Sequence, residues 1–176
     1  MINVNDWHWR DNKTSQLDIE GSSSIMRGMY LFLSGIEDKN NRSEATRFFE
    51  HGIECVERAL KAEKPSTPLP YVYLTKGYAL LGFCKSYGSP NSQNRESIDL
   101  SKKAKENGKV AVKLYGKTTG WDEGCRHDFH CAVGLAHWDL EEYKEAKEQL
   151  GHAQSFLREN SVLQELAKIM EKYLAG

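Results

Sequence analysis

No stretch of this chain reaches about 18 consecutive apolar residues, so a membrane-spanning helix is not expected. The opening segment MINVNDWHWRDN has two tryptophans but no apolar core of the kind a secretory signal needs, and the expected location is cytoplasmic. Cysteine is scarce too. Cys55, Cys84, Cys125 and Cys131 make no C-x-x-C pair, and without a secretory signal they are expected as reduced thiols rather than a disulfide framework. The sequons Asn12-Lys13-Thr14 and Asn41-Arg42-Ser43 then carry no meaning. Neither sign of charge prevails: 24 basic residues face 25 acidic ones, a net charge of -1. That balance lacks the basic excess of a phosphate-backbone binder, and no nucleic-acid partner is expected. Proline is sparse, with 4 in 176 residues, and it clusters in KPSTPLP, Lys64 to Pro70, where it breaks the chain. No segment alternates with period two for long enough to make a strand. Apolar residues make up 39%, a lean share, in a chain long enough for one domain or one short repeat array.

What the chain does have is a spacing that recurs. Ala146, Leu150 and Ala153 follow A-x3-L-x2-A; Ala104, Gly108 and Ala111 repeat it, and so do Ala45, Phe49 and Gly52. Upstream of each lies a large residue followed at spacings of three and one: Tyr30, Leu33, Ser34; Tyr78, Leu81, Gly82; His130, Val133, Gly134. From Tyr30 to Ala45 is 15 positions and from His130 to Ala146 is 16, but the middle unit needs 26. The polar run Gly88 to Glu96 is where its extra residues loop out. Small side chains let two antiparallel helices approach, and Leu or aromatic neighbours fill the grooves beside them. One hairpin cannot bury its own apolar face, so such hairpins stack.

These residues resemble the tetratricopeptide repeat (TPR) family, whose first helix carries large-x2-Leu-Gly and whose second carries Ala-x3-aromatic-x2-Ala. The third unit, roughly 127 to 160, is the nearest match, including the Glu142-Tyr143 pair that opens the second helix. The units are longer than the family's: 48 positions from Tyr30 to Tyr78 and 52 from Tyr78 to His130, against about 34. His130 replaces the large apolar residue and Ser34 the glycine. The resemblance implies an all-α fold, a right-handed stack of three antiparallel helical hairpins closed by a C-terminal capping helix. The corresponding division is an N-terminal arm, 1–20, and a repeat domain, 21–176, with units at about 22–64, 70–116 and 125–158 and the capping helix at 161–174.

Local signals place the elements. The arm offers Trp7 and Trp9 as its large anchors, read as a cap on the first repeat or as a partner contact. A helix is expected from about Ser23 to Ile36, then one opened by Asn41 with Glu44 as a capping pair. The next runs from Tyr71 to Tyr87. Leu100, Ala104, Ala111 and Leu114 mark another, ended by Gly116. The third pair spans about Asp128 to Trp138 and Leu140 to Leu157, with Asp139 as cap and Glu142 as its partner. Ser161 and Gln164 open the terminal helix as a capping box.

Two motifs suggest chemistry. Ala111 to Thr118, AVKLYGKT, imitates a phosphate-binding loop, but Ala111 to Tyr115 continues an amphipathic helix, so Lys117 is expected as an exposed residue at a helix end. In Cys125-Arg126-His127-Asp128-Phe129-His130-Cys131, His127 and Cys131 stand four apart, a spacing that suits zinc. His130, at a core position, should point away from that pair, and Cys125 should precede the helix. Ordinary packing is therefore the expected use of these four residues, and no metal or other cofactor is assigned. The acidic residues Glu141, Glu142, Glu145 and Glu148 alternate with lysines as a solvated helix face.

The TPR resemblance also implies a concave face lined by the first helices. Its positions are Leu31 and Gly35; Lys76, Ala79 and Phe83; Asp128, Cys131, Leu135 and Trp138. On that basis the partner-binding candidates are Lys76, Ala79, Phe83, Asp128, Cys131, Leu135 and Trp138. The expected function is a non-catalytic protein–protein interaction module holding a partner peptide or helix. The alternatives are a small-ligand or metal-binding helical accessory protein, or a structural homo-oligomer.

Overall fold

Three glycines of the first helix decide how near its partner comes. In the computed structural model, which describes residues 12–35, 38–63, 65, 67–87, 95–115 and 123–155, α1 (Asn12–Gly35) carries Gly21, Gly28 and Gly35 on the face turned to α2 (Lys39–Ala62). A Cβ on Gly21 would stand 2.9 Å from the Gly52 carbonyl oxygen, and one on Gly52 would stand 2.8 Å from the Gly21 carbonyl oxygen. Backbone meets backbone at this crossing. Gly28 seats the Phe49 ring and Gly35 meets Asn41, so the two helices run antiparallel. Asp38 caps α2 by accepting a 2.8 Å hydrogen bond from the Asn40 amide. The expected cap, Asn41, lies inside the helix, because the tight connection delivers Asp38 to the first free amides.

Helix α1 also begins at Asn12 rather than near Ser23, so residues 12–20 of the expected arm are helical. Their polar composition gives little local signal. The two helices match in length, 24 residues each, and tertiary packing rather than local propensity supplies most helical stability.

The middle helix, α3 (Leu69–Ser86), has Pro70 in its first turn, where a missing amide costs nothing. It is enclosed almost all round: Leu74 through Cys84 are buried without a break. It packs against α1, α2, α4 (Arg95–Tyr115) and α5 (Glu123–Asp139). The last described helix is α6 (Tyr143–Gln154), which begins later than the expected Leu140, while residues 156 and 157 of the expected span lie outside the described residues. The described residues form six helices and no strand.

The small-residue spacing does what packing requires of it. Ala45, Phe49 and Gly52 are buried, as are Ala104, Gly108 and Ala111, and Ala146, Leu150 and Ala153. In α4 the stripe begins earlier, at Ser97 and Ser101. The helices associate chiefly as α1 with α2, α3 with α4, and α5 with α6. Facing pairs such as Tyr78 with Lys103 and His130 with Gln149 make the second and third pairs antiparallel as well. Each pair then packs on the next: α2 against α3, and both α3 and α4 against α5.

The upstream signature fares differently. Tyr78, Leu81, Gly82, Val133 and Gly134 are buried, but Tyr30 is 67% exposed. The glycine stripe turns α1 so that Ile25, Met29 and Phe32 take the core positions instead. Expectations for Trp7 and Trp9, for Lys117 and for the capping helix at 161–174 fall outside the described residues. The loop expected at Gly88 to Glu96 does so for residues 88–94, while Arg95 and Glu96 already belong to α4.

Candidate functional site

Six of the seven nominated binding residues lie inside the molecule. Lys76, Ala79 and Phe83 of α3 and Asp128, Cys131 and Leu135 of α5 are all buried; Trp138 is half-buried. This corrects their expected place on an open face. With α1, α2, α4 and α5 all packed on α3, its residues Leu74 to Cys84 face the interior among the described residues.

Lys76 and Asp128 meet across the α3–α5 seam, Nζ donating to Oδ2 at 3.0 Å, with both side chains almost fully enclosed. The Lys76 ammonium also sits 5.5 Å from the Tyr73 ring centre. His127, fully buried beside the pair, has Nδ1 3.4 Å from Asp128 Oδ1. Its Nε2 is 3.8 Å from the Cys131 sulfur. By residue type this is a cysteine, a histidine and an aspartate in sequence. By geometry it is no nucleophile. Burial above all, and then the charge of Asp128, pushes the Cys131 thiol far above its ordinary range, so the thiol stays protonated. The contacts to His127 are long, and solvent does not reach the sulfur. What the cluster can do is hold α3 and α5 in one register, since a sliding helix would leave a buried charge unpaired.

The sequence motif around these residues divides as expected at one point and not at another. His130 faces away, its Nδ1 2.8 Å from Gln149 Oε1 and its ring 5.2 Å from that of His152. Burial lowers its pKa. Cys125, expected ahead of the helix, lies within α5.

Aromatic rings continue the seam to one end. Phe83 contacts Phe32 edge-on at 5.6 Å, Tyr87 at 5.9 Å and Trp138 at 6.5 Å between centres. The row links α1, α3 and α5, and Tyr87 and Trp138 are its partly exposed members.

Two polar clusters escaped the sequence reading. In the first, Asp139 ends α5 instead of capping α6. Its Oδ2 accepts from Ser101 at 2.9 Å and from Ser97 at 3.1 Å, and the Ser97 hydroxyl also reaches the Gly82 carbonyl oxygen. Burial raises the Asp139 pKa, against the lowering effect of those two hydroxyls. Beside it, Glu142 Oε1 accepts from Lys105 Nζ at 2.7 Å and Oε2 lies 2.6 Å from His137 Nδ1. The hydrogen bond from Lys105 foremost holds the Glu142 carboxyl below its usual range.

The second cluster sits at the α1–α2 crossing. Glu20 Oε1 is 2.9 Å from His51 Nε2, and the same nitrogen is 3.7 Å from the Cys55 sulfur. Among the described residues these three bring donor atoms together closely enough for a metal ion, all within 4.8 Å of one another. His51 and Cys55 stand four apart, a spacing visible in the sequence; Glu20 comes from another helix and was not.

On the surface, α1 presents a line of apolar side chains. Ile19 is 52% exposed, Met26 45% and Tyr30 67%. At seven and four residues apart they fall within about 20° of one line along the helix and span about 16 Å. No helix among the described residues is long and apolar enough to cross a membrane.

Compared with protein-family models, with curated proteins and with solved structures, the chain matches none of them.

Proposed function

We propose that this protein is a non-catalytic, TPR-like helical-repeat module, its hairpins stacked in a right-handed superhelix, that docks an amphipathic helix of a partner protein. The order of packing supports the repeat reading: each helix pair rests on the next, as stacked hairpins must to bury their faces. The observation that carries the binding reading is the exposed stripe Ile19, Met26 and Tyr30. Anchors at i, i+7 and i+11 suit a helix laid along α1, with large apolar side chains filling the contact. Six of the seven nominated inward positions are taken up by the molecule's own core, so the docking surface moves to the outside of α1, with the half-buried Trp138 kept as a further aromatic candidate.

The test uses the full chain as bait to isolate a stoichiometric partner, which is then purified and titrated against variants. Tyr30→Glu should weaken binding by about 2 kcal/mol or more with the thermal melt unchanged, because Tyr30 touches little of the core. If neither Tyr30→Glu nor Trp138→Ala alters the affinity of such a partner, the proposed surface is wrong.

A further inference from the structure

We propose that Glu20, His51 and Cys55 form a binding site for a borderline-soft divalent cation, zinc in the first place, that clamps α1 to α2. The three side chains offer one carboxylate oxygen, one imidazole nitrogen and one sulfur. That set suits zinc or cobalt, and it does not suit magnesium or calcium, which take oxygen ligands. Around tetrahedral zinc, ligand atoms at about 2.0 to 2.3 Å from the metal stand about 3.3 to 3.8 Å from one another. The His51 Nε2 to Cys55 Sγ separation of 3.7 Å already fits. The 2.9 Å between His51 Nε2 and Glu20 Oε1 needs a small opening, which the exposed Glu20 side chain can provide by rotation.

The backbone holds the donors in place. His51 and Cys55 are one helical turn apart on α2 and share a face. Glu20 is set against them because its neighbour Gly21 lies on Gly52, the closest approach of the two helices. The sulfur is buried while His51 and Glu20 are about half exposed, so a cation has an entry path and a fourth position open to water. On binding, the Cys55 thiol gives its proton to solvent, and the thiolate and carboxylate together balance the two positive charges of the ion.

The experiment is a titration of the untagged, reduced full-length chain with cobalt(II), followed by displacement with zinc(II). The expected result is one cobalt per chain, with a thiolate-to-cobalt charge-transfer band that zinc abolishes. Loss of even an outer-shell partner costs a metal site about 10- to 100-fold in affinity, so losing a direct ligand should cost at least about tenfold. Cys55→Ser should abolish the band. His51→Ala and Glu20→Gln, both at exposed positions, should keep the fold by circular dichroism and weaken cobalt binding by about tenfold or more. Cys125→Ser should leave the band intact. Absence of the band in the wild-type chain, its survival in Cys55→Ser, undiminished affinity in His51→Ala, or its loss in Cys125→Ser would each overturn the proposal.

Discussion

Lys76 of α3 and Asp128 of α5 form an ion pair at 3.0 Å although 52 positions separate them, and both side chains are shut away from water. Two charges in such a place are stable only together. Removing one leaves the other buried and uncompensated.

The first prediction follows from that pairing. Lys76→Ala should destabilise the fold by about 3 to 5 kcal/mol, measured by urea unfolding. The double variant Lys76→Met with Asp128→Leu should lose much less than the sum of the single losses, since neither charge is stranded. Simple additivity would mean that the pair is not coupled.

A second prediction contrasts two glycines. At Gly52 an added Cβ would meet Ile25 at 2.6 Å and the Gly21 carbonyl oxygen at 2.8 Å. Gly52→Ala should therefore push α1 and α2 apart and cost about 1 to 3 kcal/mol. Gly151 is exposed in α6 and a Cβ there meets nothing within 4 Å. Gly151→Ala should raise stability by about 0.5 to 1 kcal/mol through helix propensity. Thermal melts of the two variants should shift in opposite directions.

The third concerns pH. Lys105 holds Glu142 below its usual pKa, so the folded state binds that proton less readily than the unfolded chain. This contribution is complete above the ordinary carboxylate value and disappears as pH falls through the lowered one. Lys105→Met should flatten that part of the acid limb. With 37% of the Glu142 side chain exposed, solvent screening keeps the effect below about 1 kcal/mol. Added salt should reduce it further. An acid limb identical in wild type and Lys105→Met would refute this account.

Asp139 carries the opposite sign. Burial raises its pKa, so its ionisation works against the fold, and its share of stability grows as pH falls through the raised value towards the unfolded one. Asp139→Asn keeps an oxygen to accept from Ser97 and Ser101 and removes the charge. Stability at neutral pH should hold or rise, and this share of the pH dependence should vanish. Asp139→Ala takes the acceptor from the Ser101 hydroxyl, while Ser97 keeps the Gly82 carbonyl oxygen, and should cost about 1 to 3 kcal/mol. Equal losses in the two variants would show that burial of the charge is not what matters.

Much of the helical architecture is legible in the sequence, because close packing of two helices needs small side chains at every turn, and that need writes a local period. Ala45, Ala104 and Ala146 announce the three second helices, and all three are buried. Proline at Lys64 to Pro70 likewise marks a break that the backbone obeys. The first helices are less legible. Tyr30 matches the repeat spacing yet faces solvent, because the glycines at 21, 28 and 35 turn another side of α1 towards α2.

Local spacing is therefore enough to mark the described second helices α2, α4 and α6 and the small-residue faces on which they pair, for these depend on neighbours within one or two turns. Which of the remaining faces meets water depends instead on contacts between distant segments. The same positions of α3 would line a groove in an open stack; here four helices enclose them, and Lys76 finds Asp128 instead of a ligand. The juxtaposition of Glu20 with His51 and Cys55 belongs to that second class. It depends on the place where two glycines let α1 and α2 touch, a distance between helices that no local period records.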